Sequence, residues 1–151
     1  MATTSIRLAF SPDPRLLGAV RLVVSAVARR VGVDDEQVED LKVAISETCS
    51  VAISEQRKGG VGAPVELGLQ EEGEWLRVEI WDRSPTPAAS SADPLSSAGI
   101  DERELGHALI AALVNELEVV PRAGGGNATR FGLSRQPGGY PDVRSGVGTP
   151  R

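Results

Sequence analysis

A chain of 151 residues is long enough for one compact domain and short for two, since domains commonly run to about 100–150 residues. With 40% hydrophobic and 25% charged residues it has the composition of a soluble globular protein, and only 3% aromatic residues puts the core on Val, Leu, Ile and Ala. A net charge of −5 without a Lys/Arg run excludes broad nucleic-acid binding, which needs a basic patch to neutralise phosphates.

The longest apolar stretches are broken by Arg or Gly well before the ~20 residues of a membrane span. No basic segment followed by an apolar run opens the chain as a signal peptide would, and the lone Cys49 has no internal disulfide partner. Cytoplasm is the expected compartment, without membrane contact, and protein or small-molecule partners are expected ahead of nucleic acid.

Ile6, Leu8 and Phe10 alternate as in a strand, and Ser11-Pro12-Asp13-Pro14 breaks it. Leu16, Val20, Val23, Val24, Val27 and Val31 then recur at helical spacing, and Gly32 closes that helix. Asp34-Asp35-Glu36 brings negative charge to the start of a second helix, where the helix dipole favours it. That helix carries Val38, Leu41, Ile45, Cys49 and Ala52 on one stripe.

The segment Lys58 to Pro64 cannot continue a helix and leads into Val65, Leu67 and Leu69, one face of a strand. Glu71 to Glu74 turns the chain into Leu76, Val78 and Ile80, whose period of two points Asp82 toward the core. From Ser84 to Gly99 the chain is rich in Pro, Ser and Ala without periodicity, and residues 84–104 read as a lid. Leu105, Leu109, Ala112 and Leu113 mark a third helix. Leu117 to Val120 and Thr129 to Leu133 read as strands joined by a Gly124–Asn127 turn.

The expected architecture over residues 1–135 is a two-layer α/β sandwich with a mixed, mainly antiparallel sheet and its helices on one face. Residues 136–151 lack an apolar pattern and are expected to be a disordered tail. Two acids, Glu47 from a helix and Asp82 from a strand end, fall on the same layer under the lid.

The stretches LKVAISETCSVAIS, VEIWDRSPTP, ELGHALIAALVNELEV and GGGNATRFGL, in this order and spacing, resemble the anti-sigma-factor serine/threonine kinases of the GHKL ATPase superfamily, which share the Bergerat fold. The resemblance spans Ile6 to Leu133. In that family a helical Glu is the catalytic base and an Asn one turn later binds the Mg²⁺ that bridges the ATP phosphates. Glu47 matches the base, whereas Val51 stands at the Asn position, and an aliphatic side chain cannot serve a hard cation.

The resemblance implies that Asp82 accepts from the adenine amino group, with Ser84 and Thr86 where the family has glycines. The next glycine motif matches at Gly106 and Leu109, with Ala108 for its second glycine, and the closing Gly-Thr appears as Gly126-Asn127 with Thr129 nearby. The implied nucleotide-binding set is Glu47, Asp82, Ser84, Gly106, Leu109 and Thr129. No residue is assigned to a metal, and ATP and Mg²⁺ are expected to be held weakly.

Two functions follow. One is an anti-sigma factor that sequesters a sigma factor, is displaced by an anti-anti-sigma protein and has little or no kinase activity. The other is an active Mg-ATP-dependent serine/threonine kinase acting on that antagonist. Val51 favours the first, because phosphoryl transfer rests on positioned metal and charge, and either is compatible with a homodimer. Plainer roles exist for single residues: Asp82 as the cap of a turn with Ser84 and Pro85, His107 on the surface, Cys49 as a small core residue, and Gly124–Gly126 as an ordinary hairpin turn.

Overall fold

The computed structural model describes residues 3–85 and 102–135. Most of the expected lid, residues 86–101 with Thr86 among them, and the expected tail 136–151 lie outside the described residues.

The elements follow the sequence pattern closely. Strand β1 (Ser5–Phe10) is followed by a 3₁₀ turn (Pro14–Leu16), α1 (Leu17–Arg30), α2 (Asp35–Lys58), β2 (Val65–Glu72), β3 (Trp75–Trp81), α3 (Glu102–Leu113), β4 (Asn115–Pro121) and β5 (Asn127–Ser134). Asp13 accepts from the Arg15 N–H and Pro14 supplies the fixed φ of a first helical position. Asp34 caps α2 by accepting from the Gln37 N–H, with Asp35 and Glu36 in its first turn. Between the helices Gly32 takes φ +87°, which a side chain would resist.

The strands form one sheet in the order β1-β2-β3-β5-β4, and all four pairings are antiparallel. The two-layer α/β expectation holds. Alternate strand residues, Phe10, Val65, Leu67, Leu69, Leu76, Val78, Ile80, Phe131 and Leu133, form one cluster with the α2 stripe Val38, Leu41, Ile45, Cys49 and Ala52. Helices α1 and α3 flank α2 and add Val20, Val24, Ala28 and Ile110 to that cluster. Each Val, Leu, Ile or Phe so buried contributes roughly 1.5–3 kcal/mol of transfer free energy, opposed by conformational entropy.

The last hairpin departs from the reading in detail. β4 starts at Asn115, two residues early, because its register against β5 shifts between Asn115 and Glu118, where Glu116 takes φ +55°. A bulge breaks the period of two, so alternation alone cannot find such a strand end. Asn127 belongs to β5, paired with Pro121, and the turn is closed by the Arg122 N–H donating to Gly126 O at 2.9 Å.

Candidate functional site

Glu47 lies half-buried on the flank of α2 that faces α3. A methyl group placed on Gly106 would stand 3.6 Å from Glu47 Oε2, so the absence of a side chain on α3 keeps the carboxylate approachable there. One turn later Val51 is 37% exposed and presents methyl groups to the same surface. Leu109 is 43% exposed and Leu105 60%, so this end of α3 is an apolar surface rather than a closed pocket wall.

Asp82 follows β3 directly and is only 6% exposed, as the strand period predicts. Its Oδ1 accepts from both the Ser84 N–H at 2.9 Å and the Ser84 hydroxyl at 2.7 Å. Asn127 Nδ2 in turn donates to Ser84 Oγ at 3.3 Å. Asp82, Ser84 and Asn127 are all buried and satisfy one another, and Thr129, also buried, sits two residues along β5. Asp82 therefore does cap a turn with Ser84, and one of its oxygens is already used twice.

The Asp82 main chain is clamped from three sides. Its N–H donates to Asn127 O at 3.0 Å, and its carbonyl accepts from Arg122 Nη1 at 2.9 Å. Gly126, at φ +91°, passes so close that a Cβ there would fall 2.0 Å from Asp82 O. Only glycine fits both the angle and the approach. The next residue is held as well, by Gln56, wholly buried near the end of α2. Its Oε1 accepts from the Arg83 N–H at 2.8 Å while its Nε2 donates to Ala63 O at 2.7 Å.

Cys49 is fully buried in α2. Burial, and secondarily the negative charge of Asp82, push its thiol up to about 12 from an ordinary 9.0, so it is a neutral core group and no nucleophile. His107 is exposed.

The fold thus brings Glu47 to Gly106 and joins Asp82, Ser84 and Asn127, while Leu109 faces outward. Sequence reasoning overlooked Gln56, Arg122 and the role of Asn127. Gln56 had a signal, since it continues the stripe Ile45, Cys49, Ala52 at helical spacing. Arg122 and Asn127 had none, because their partners are 40 and 43 residues away. A bound cation would need oxygen donors, and Val51 offers none at the position next to Glu47. Among the described residues no helix is long and apolar enough to cross a membrane.

Comparison with known proteins places this arrangement. Residues 10–133 match the histidine kinase-like ATPase domain. The chain is 31% identical over 134 residues to the serine-protein kinase RsbW of Bacillus pumilus, covering 79% of this chain and 80% of that protein. It is 29% identical over 132 residues to the RsbW of Bacillus subtilis, covering 79% of each. A solved structure of the RsbU and RsbW domains of Rv1364c from Mycobacterium tuberculosis superposes with a TM-score of 0.65 at 17% identity, over 87% of this chain and 32% of that one, a likeness of fold. The chain belongs to the histidine kinase-like ATPase domain family, in its RsbW-like branch.

Proposed function

We propose that the protein is an anti-sigma regulatory factor that binds a sigma factor, an anti-anti-sigma protein or both, and that its hold on ATP and Mg²⁺ is weak. The similarity to RsbW proteins along most of both chains supports the regulatory role. The observation that carries the second half is Val51, an exposed aliphatic residue one turn after Glu47, where a metal-bridged phosphate would need an oxygen donor.

The other end of the site supports the same reading. Asp82 Oδ1 is occupied by Ser84, so a purine amino group would have to use the remaining acceptor capacity of that carboxylate. Were ATP bound, Asp82 and Thr129 would hold its base, Gly106 would leave room beside α3, and Glu47 would take a proton from an attacking hydroxyl. The nucleotide would supply the phosphoryl group. Residues 1–135 would form the working domain.

The active-kinase reading is kept because Glu47 is present, half-buried and unobstructed by Gly106. A pull-down against candidate sigma and anti-anti-sigma proteins without nucleotide, followed by incubation with labelled ATP, separates the two. A nucleotide-independent complex, no phosphate transfer above background, and a Glu47→Ala variant that binds within about 1 kcal/mol of the parent are expected. Robust phosphorylation of the partner that Glu47→Ala abolishes would install the kinase reading instead.

A further inference from the structure

Exposed apolar side chains are ordinarily scattered singly over a protein surface. Here they are gathered. The large apolar side chains exposed among the described residues are Leu22, Val43, Val51, Leu105 and Leu109. All but Leu22 stand within one helical turn of the place where Glu47 meets Gly106. Val43 and Val51 lie one turn before and one turn after Glu47 on the same face of α2, and Leu105 and Leu109 share a face of α3 on either side of Gly106. Since α2 packs against α3, the four side chains form an apolar rim around a half-buried carboxylate.

The acids on this face lack a counter-charge. Neither Glu47 nor Asp40, two turns earlier on the same face of α2, has a hydrogen-bond or ion-pair partner among the described residues. Burial first, and then the negative charges of Glu36 and Asp34, push the Asp40 carboxyl above its ordinary 3.8. The cations of α2 and the end of α1 are engaged elsewhere, Arg29 with Asp35, Lys42 with Glu39 and Lys58 with Glu55. Because Gly106 carries no side chain, the approach to Glu47 Oε2 stays open between the helices. Anything that covered the apolar rim without bringing a cation would bury the Glu47 charge unpaired, which is strongly unfavourable.

We infer that the α2–α3 face receives a cationic amphipathic helix of a protein partner. Its aliphatic side chains pack on Val43, Val51, Leu105 and Leu109, one Lys or Arg reaches Glu47 over Gly106, and a second, two turns along, reaches Asp40. This is helix-in-groove recognition, in which apolar anchors at helical spacing hold the helix and a charge pair fixes its register. Val51, which serves no metal, is an anchor in this contact, and Glu47 acts as a fixed counter-charge without any proton transfer. The inference rests on the weak hold on nucleotide proposed above, because a triphosphate beside Glu47 would occupy the same surface.

The test uses the full chain and a defined probe, a fluorescein-labelled, alanine-based helical peptide of about eighteen residues with leucines and two lysines, two turns apart, along one face. Fluorescence anisotropy without nucleotide should give a dissociation constant on the order of 10 μM, and a peptide of the same composition in scrambled order should bind about tenfold more weakly or worse. Exchanging one lysine of the peptide for glutamate should weaken binding to the parent by about tenfold, a readout that needs no variant of the protein. Glu47→Lys should reverse that preference and bind the exchanged peptide within about threefold of the parent pair. Leu105→Ser combined with Leu109→Ser should weaken the peptide by about tenfold or more, whereas Leu22→Ser on α1 should leave it within about twofold. Circular dichroism and thermal midpoints close to the parent's would show that the variants fold. No binding by the parent, equal binding of the scrambled peptide, an unreversed charge preference, or a Leu22→Ser as damaging as the α3 pair would each overturn the assignment. Binding about tenfold tighter in Arg144→Glu would give the groove to the chain's own C-terminal segment, and altered sedimentation of the unliganded α3 double variant would give it to a second copy; either overturns the partner helix. Mg-ATP titrated alone reads the nucleotide separately: tight nucleotide binding with the peptide still bound overturns the weak-nucleotide reading and keeps the groove, and binding of neither does the reverse.

Discussion

The Gln56 side chain and the Arg83 main chain are joined by a 2.8 Å hydrogen bond from the Arg83 N–H to Gln56 Oε1, across 27 residues of sequence. This bond ties the C-terminal end of α2 to the residue after Asp82, so the helix that carries Glu47 and the strand end that carries Asp82 are held as one unit. Gln56→Leu keeps the volume and removes both amide bonds, leaving the Arg83 N–H and Ala63 O without that partner. The expected loss is about 2–3 kcal/mol, read from urea denaturation. A variant as stable as the parent would mean that water replaces the amide at both sites.

Gly126→Ala should be costlier than an exposed hairpin position suggests. The new Cβ would meet Asp82 O at 2.0 Å and would force alanine to φ +91°. A loss of about 3 kcal/mol or more is expected, since strain and clash add. Gly125→Ala is the matched control, because it shares the positive φ, at +101°, and has nothing within 4 Å of its Cβ. Equal losses at the two positions would show that the approach to Asp82 carries no weight.

Mg-ATP is expected to bind the parent with a dissociation constant on the order of 100 μM or poorer by calorimetric titration. Val51→Asn restores a donor one turn after Glu47 on an exposed surface, so it should leave stability within about 0.5 kcal/mol and improve magnesium-dependent affinity by about tenfold or more. Tight binding by the parent, or no gain in the variant, would remove Val51 as the cause.

Ser84→Gly removes the hydroxyl that donates to Asp82 Oδ1 at 2.7 Å and leaves the backbone donor in place. Stability should fall by about 1 kcal/mol, the net worth of a typical hydrogen bond. Adenine nucleotide affinity should rise, because the carboxylate regains acceptor capacity. Unchanged affinity would show that Asp82 does not face the nucleotide.

Cys49 gives a pH signature. Its folded thiol is pushed up to about 12 by burial first and by Asp82 second, against 9.0 ordinarily. A group whose folded value is raised contributes stability that is fully present below its unfolded value and lost as pH rises through the folded one. Stability should therefore decline between about pH 9 and 12, and Cys49→Ser or Cys49→Ala should flatten that decline. In the native state the thiol should resist an aromatic disulfide reagent at pH 8 and react once denaturant unfolds the chain.

Much of this protein was determined by local pattern. Helical spacing from Val38 to Ala52 set the buried stripe of α2, and the period of two through Leu76, Val78 and Ile80 placed Asp82 inside, because side-chain direction repeats with backbone geometry. The family resemblance and the loss at Val51 are also properties of the sequence alone. Tertiary structure decided what those residues touch. The Asp82–Ser84–Asn127 cluster, the Gln56 clamp, the passage of Gly126 against Asp82 O and the seating of the two tryptophans on Gly68 and Gly132 all depend on strand pairing and register. No periodicity encodes them, since they join residues far apart in sequence that only the closed sheet brings to hydrogen-bond or contact distance.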